Sequence, residues 1–152
     1  MNELIIMFGW LGIFAPMALA TIGSIWGCSI AGQAAIGVML DTDSSYGKYI
    51  GISVLPSSQA IYGIVLMFIL NKPVTTAIAG AQFGIGFLSG IALMICAIQQ
   101  GYCCASAINA TKNKPEIFGL SIAPAAIVEG FAVFIFVFAL VLSAGLGANH
   151  GA

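Results

Sequence analysis

The sequence has no arginine, only four lysines and one histidine, and so little charge (6% of 152 residues) that it falls far below the roughly 25% of a soluble domain. With 61% hydrophobic residues, it cannot cover a water-facing surface, and the solvent for most of the chain must be lipid. A net charge of −1 without arginine leaves no basic face for nucleic acid. The lone His150 sits in a short tail, and Cys28, Cys96, Cys103 and Cys104 lie inside apolar stretches. No metal-ligand spacing connects them, and adjacent Cys103-Cys104 is not a CxxC pair, so they read as small buried thiols. Gly84-Ile85-Gly86 and Gly145-Leu146-Gly147 lack the strand, the full spacing and the acidic residue of a dinucleotide loop. Residues 41–45 are too short for a calcium hand. No phosphate loop and no Ser/His/Asp or Cys/His set can be assembled, so no catalytic residue and no organic cofactor are expected.

What the chain does have is apolar length. Runs at about 4–39, 50–70, 76–110 and 117–146 are separated by polar clusters, among them Asn71-Lys72-Pro73 and Thr111-Lys112-Asn113-Lys114-Pro115-Glu116. A bilayer core takes about 20 apolar residues at about 1.5 Å each. The pattern predicts an all-α membrane protein with four transmembrane helices, arranged as two tandem helical hairpins over 1–73 and 74–152. The first and third runs overshoot the core and should tilt or protrude. Ala18-Leu19-Ala20 mimics a signal-peptidase site, but Glu3 stands where basic residues would be and apolar sequence continues past it. The segment is expected to stay as the first span.

The runs differ in kind. Gly23, Gly27, Ala31 and Ala35 form a stripe of small residues in the first, and Gly86, Gly90, Ala97, Gly101 and Ala105 form one in the third. Such stripes let helix backbones approach closely. The fourth run is bulky, with Phe131, Phe134, Phe136 and Phe138, and Pro56 and Pro124 fall early in the second helix of each half. This reads as a repeated hairpin in which narrow helices form an inner layer and bulky ones face lipid. Lys48, Lys112 and Lys114 lie in the first and third loops and Lys72 in the second. The positive-inside rule then places the first and third loops in the cytoplasm and both termini outside the cell membrane.

Glu129 is the one acidic residue within a span, about a dozen residues into the fourth run, with no lysine at that depth. A bare charge at the bilayer centre costs about 3 kcal/mol on insertion scales. Protonation or a bound cation must neutralise it when it faces lipid, and reversible neutralisation of a mid-membrane carboxylate is the chemistry of ion carriage. Leu55, Ser58, Gln59 and Tyr62 are spaced i, i+3, i+4, i+7 and share a helical face. Pro56 cannot donate to the helical ladder and can leave carbonyls free. That face offers a hydroxyl, an amide, a phenol and a carbonyl, and Gln99 or Gln100 can add another amide. A hard cation takes several oxygen ligands, which a proton does not need. Each glutamine alone would be ordinary interhelical glue, but with Glu129 they suggest an oxygen cage.

The length of the double hairpin, Leu55-Pro56-Ser57-Ser58-Gln59-Ala60-Ile61-Tyr62-Gly63 and the mid-span Glu129 resemble the proteolipid (c or K) subunit of bacterial V-type rotary ATPases. Gly23-Ser24-Ile25-Trp26-Gly27, Gly32-Gln33-Ala34-Ala35, Gln100-Gly101 and Lys114-Pro115-Glu116 extend the resemblance over the whole chain. The resemblance implies a non-catalytic subunit of a homo-oligomeric rotor ring, turning against a stator membrane subunit that supplies a basic residue and joined to a central-stalk subunit. It implies Na+ as the transported ion, held by Glu129, Gln59, Gln100, Ser58 and the Leu55 carbonyl, with Tyr62 locking the carboxylate by a hydrogen bond. Ser58 stands where threonine is common in the family and keeps the oxygen without the methyl. The same ring carrying H+ is the alternative. A stand-alone channel or transporter would favour inverted repeats, which parallel hairpins are not, and a purely structural assembly factor would leave the carboxylate and its oxygens without a role.

Overall fold

The polar punctuation of the chain marks where its helices end. In the computed structural model, which describes residues 1–43 and 45–148, α1 spans Asn2–Met39, α2 Tyr46–Ser53, α3 Ser58–Leu70, α4 Ala79–Asn113, α5 Phe118–Ser121 and α6 Ala123–Ala148. Short 3₁₀ turns at Leu55–Ser57 and Pro115–Ile117 join α2 to α3 and α4 to α5. No strand occurs among the described residues, and His150 lies outside them. Four stretches are long and apolar enough to cross a membrane: Asn2–Met39, Tyr46–Leu70, Ala79–Asn113 and Pro115–Leu146. At 38 and 35 residues, the first and third exceed a roughly 30 Å core by several turns.

Local chemistry moves some boundaries from those read in the sequence. The second span starts four residues before position 50 because Tyr46-Gly47-Lys48-Tyr49 forms the first turn of α2. The third starts at Ala79 rather than 76, after a turn in which Thr75 O accepts from Ile78 N and Ala79 N. It continues to Asn113 rather than 110, and Lys114 then leaves the helical region (φ −143°, ψ 76°) because it precedes Pro115. Thr111 is buried in this last turn, its hydroxyl donating to Ala107 O.

The narrow helices pack on each other. The α1–α4 contact is the most extensive in the chain; α3 lies against α1, α6 lies against α4, and α3 and α6 touch across the gap. In lipid no hydrophobic force drives this packing, so contact area depends on how closely backbones can approach. A Cβ on Gly23 would stand 2.5 Å from Met94 O, and one on Gly101 would stand 2.5 Å from both Cα and O of Gly27. Gly12 and Gly86 meet more closely still. Gly63 brings α3 against α1 where the Pro16 carbonyl lies.

The bulky fourth helix is only partly as its composition suggests. Phe131, Phe134 and Phe138 are exposed, but α6 meets its neighbours through a seam of buried alanines seven residues apart, Ala125, Ala132 and Ala139. Phe136 is drawn inward to stack on Tyr62. The first and third loops share one end of the bundle, where Lys112 pairs with Asp41 at 2.5 Å and Lys48 sits 5.2 Å over the Phe118 ring. At the other end Lys72 donates to Ser143 O at 2.8 Å. Beside it, buried Gln82 donates to Leu70 O and Lys72 O, holding the end of α3.

Candidate functional site

Each half of the chain has a proline-marked break before its second long helix, and the site forms where these two helices meet α4. Pro56 has no N–H to give, and the 3₁₀ turn around it redirects nearby hydroxyls onto backbone carbonyls. Ser57 Oγ lies 2.7 Å from Val54 O, and Ser58 Oγ lies 3.1 Å from Leu55 O. The turn starts α3 with Ser58, Gln59 and Tyr62 directed toward α6. In the second half, Pro124 in the first turn of α6 leads directly to Glu129.

Four side chains converge on the Glu129 carboxylate. Ser58 Oγ at 2.7 Å, Gln59 Nε2 at 3.0 Å and Gln100 Nε2 at 3.0 Å all donate to Oε2. Tyr62 OH donates to Oε1 at 2.6 Å. The glutamines are linked, Gln59 Nε2 donating to Gln100 Oε1 at 2.9 Å, and Gln100 Nε2 also reaches Ala125 O at 3.2 Å. Both are almost fully buried, at 0% and 2% exposure, which for an amide in lipid requires partners for every N–H. All four amide N–H groups have them. Glu129 itself is half-buried, screened on one side by this network.

The structure therefore brings together Ser58, Gln59, Tyr62, Gln100 and Glu129, and Leu55 O joins through Ser58. Gln100 is the inward glutamine, while Gln99 is exposed. Two contributors were missed in the sequence. The Ala125 carbonyl, one turn before Glu129, orients Gln100. Phe136, seven residues after Glu129 and so on the same face of α6, stacks on the Tyr62 ring with centroids 5.1 Å apart and planes inclined by 27°. The i+7 spacing was the available signal for Phe136; no signal marked the carbonyl.

Two parallel membrane hairpins enclosing one carboxylate in a set of donors define a membrane proteolipid of the c/K type found in V/A-type rotary ATPases. The chain belongs to the family of the ATP synthase C subunit, whose sequence model matches it twice, at residues 11–70 and 83–142. It is similar to the A-type ATP synthase subunit K of Methanocaldococcus jannaschii, 36% identical over 130 residues that cover 82% of this chain and 59% of that protein. It is also similar to the V-type sodium ATPase subunit K of Enterococcus hirae, 32% identical over 146 residues that cover 87% of this chain and 92% of that one. The chain thus spans less than two thirds of the archaeal relative. The family and the four apolar spans make it a multi-pass membrane protein.

Proposed function

We propose that this chain is a subunit of a rotor ring in a V/A-type ATPase and carries Na+ across the membrane on Glu129. The observation that carries the reading is the convergence of Ser58, Gln59, Gln100 and Tyr62 on that one mid-span carboxylate. As they stand, the two amides offer N–H to the carboxylate. Half a turn of each amide would exchange Nε2 for Oε1. Gln59, Gln100, Ser58, Leu55 O and Glu129 would then present the several oxygens that a hard cation takes. Tyr62 would remain on Oε1, holding the carboxylate in place. The likeness to a relative named a sodium ATPase subunit supports sodium as the ion.

Neutralised by its ion, Glu129 crosses the lipid-facing arc of the ring without bare charge. A basic side chain from a stator subunit then draws it open and the ion leaves. The central stalk links the turning of the ring to ATP chemistry performed elsewhere in the complex, and this chain catalyses nothing alone. Each charge moved across 100 mV is worth about 2.3 kcal/mol, so several ions can be coupled to one nucleotide. The halves 1–73 and 74–152 act as the two hairpins of one membrane unit. The end with Lys48, Lys112 and Lys114 faces the cytoplasm and the termini face outward.

Carbodiimide labelling of Glu129 in membranes tests the ion. The reagent attacks protonated buried carboxyls, so bound sodium protects. Millimolar sodium is expected to block labelling at neutral pH, and protection should weaken as pH falls, because protons compete for the same oxygens. Labelling indifferent to sodium at every pH would leave the proton as the transported ion. A second check concerns one ligand. Gln100→Ala removes an oxygen proposed to ligate the ion and is expected to weaken sodium protection by about tenfold, about 1.4 kcal/mol, while rings of normal mass still assemble. Unchanged protection would take Gln100 out of the site.

A further inference from the structure

A helix that begins inside a membrane cannot leave its first N–H groups to water. Helix α3 begins at Ser58, near the middle of the span Tyr46–Leu70, just after the break at Pro56. The N–H of Ala60, its third residue, finds an acceptor on another helix: Ser24 Oγ of α1 lies 3.1 Å away. Ser24 is 5% exposed, and Gln59, which shares this peptide with Ala60, is fully buried. Small residues on either side bring the hydroxyl within reach. A Cβ on Gly27 would stand 2.8 Å from Pro56 Cβ, and one on Gly63 would stand 2.8 Å from Ala20 Cβ. Ala20, Ser24 and Gly27 follow one another at i, i+4, i+7 on one face of α1, so Ser24 lies where that face meets the first turn of α3.

We propose that Ser24 is a positioning residue for the ion site: by holding the peptide between Gln59 and Ala60, it sets the turn of α3 that presents Ser58, Gln59 and Tyr62 to Glu129. The inference rests on reading Glu129 as the sodium carrier and adds a residue that acts on the ligands through the backbone. With its N–H held by Ser24, this peptide plane resists tipping, and the direction in which Gln59 leaves the helix is held with it. Gln59 Nε2 bonds Glu129 Oε2 at 3.0 Å and Gln100 Oε1 at 2.9 Å, and such bonds weaken steeply as they lose alignment. Ser58 and Tyr62, at 2.7 Å and 2.6 Å from the carboxylate, stand on the same stretch of helix. Without the hydroxyl, an unpaired N–H in lipid favours any tilt that finds it another acceptor. Only part of the population then keeps the arrangement that binds the ion, and the apparent affinity falls by that fraction. Ser24 also belongs to the helix that packs most extensively on α4, which carries Gln100, so the bond ties the ligands of α3 to the support of the second glutamine.

In purified rings, Ser24→Ala is expected to raise the sodium concentration that half-protects Glu129 from carbodiimide by about fivefold, the equivalent of one neutral hydrogen bond, with ring mass unchanged. Ser24→Thr keeps an oxygen at that place and should match the parent. Ser24→Cys offers sulfur, a weaker acceptor, and should fall between parent and alanine; it carries the test if the alanine ring does not assemble. A role in packing alone would lower the temperature of ring dissociation in detergent without moving half-protection. That result would overturn the inference, and so would a threonine ring no better than the alanine ring. Failure of the sodium reading would show separately, as a parent ring that sodium never protects, and the positioning of its ligands would fall with it.

Discussion

Glu129→Gln is expected to leave an assembled ring that moves no ions. Glutamine keeps the size of the side chain and an oxygen for Tyr62, so the packing of α6 through Ala125, Ala132 and Ala139 is untouched. The charge is lost. Ser58, Gln59, Gln100 and Tyr62 then face a neutral amide, and a cation has no counter-charge at that depth. Removing one partner of a buried pair costs about 3–5 kcal/mol, two to three and a half decades of affinity at about 1.4 kcal/mol each. Sodium uptake into vesicles driven by ATP should fall to background while the mass of the solubilised ring stays normal. Transport at the parent rate would remove Glu129 from the mechanism. Rings missing altogether would instead make the carboxylate structural glue.

The second large effect is expected at Gly101, where α4 crosses Gly27 of α1. The neighbouring atoms are backbone, at 2.5 Å from a Cβ placed there, and backbone cannot move aside as a flexible side chain would. Gly101→Ala should destabilise the fold by about 1–3 kcal/mol, the usual cost of overpacking, seen as a lower temperature of ring dissociation in detergent. Gly101→Leu should prevent α1 and α4 from meeting and yield no ring. Gly32 lies on the same helix as Gly27 but has nothing within 4 Å of its Cβ position, and Gly32→Ala should be neutral within about 0.5 kcal/mol. Equal tolerance at Gly101 and Gly32 would mean that the two helices do not pack as described.

The small-residue stripes were legible because helices in lipid gain contact by close backbone approach, and Gly23, Gly27, Ala31, Ala35, Gly86, Gly90, Ala97 and Gly101 are buried, while Ala105 at the end of the second stripe is only half-buried. The alanine seam of α6 was not, because alanines every seventh residue are hidden among phenylalanines that dominate the composition. Helix ends moved by a few residues where a single turn, such as that at Thr75, or a proline such as Pro115 decided the matter.

By itself the sequence determined the class and singled out the mid-span carboxylate. An apolar chain with almost no charge must live in lipid, and a lone carboxylate in mid-span must be neutralised there, whatever surrounds it. The face of Leu55, Ser58, Gln59 and Tyr62 was also readable, since the helical period places those residues together. Tertiary structure alone decided what lies across from that face. Which of Gln99 and Gln100 turns inward, that Ala125 O orients it, and that Phe136 backs Tyr62 depend on how α3, α4 and α6 are rotated and set in depth against one another. That rotation is the sum of many small van der Waals contacts between distant residues, and no spacing within a single helix encodes it.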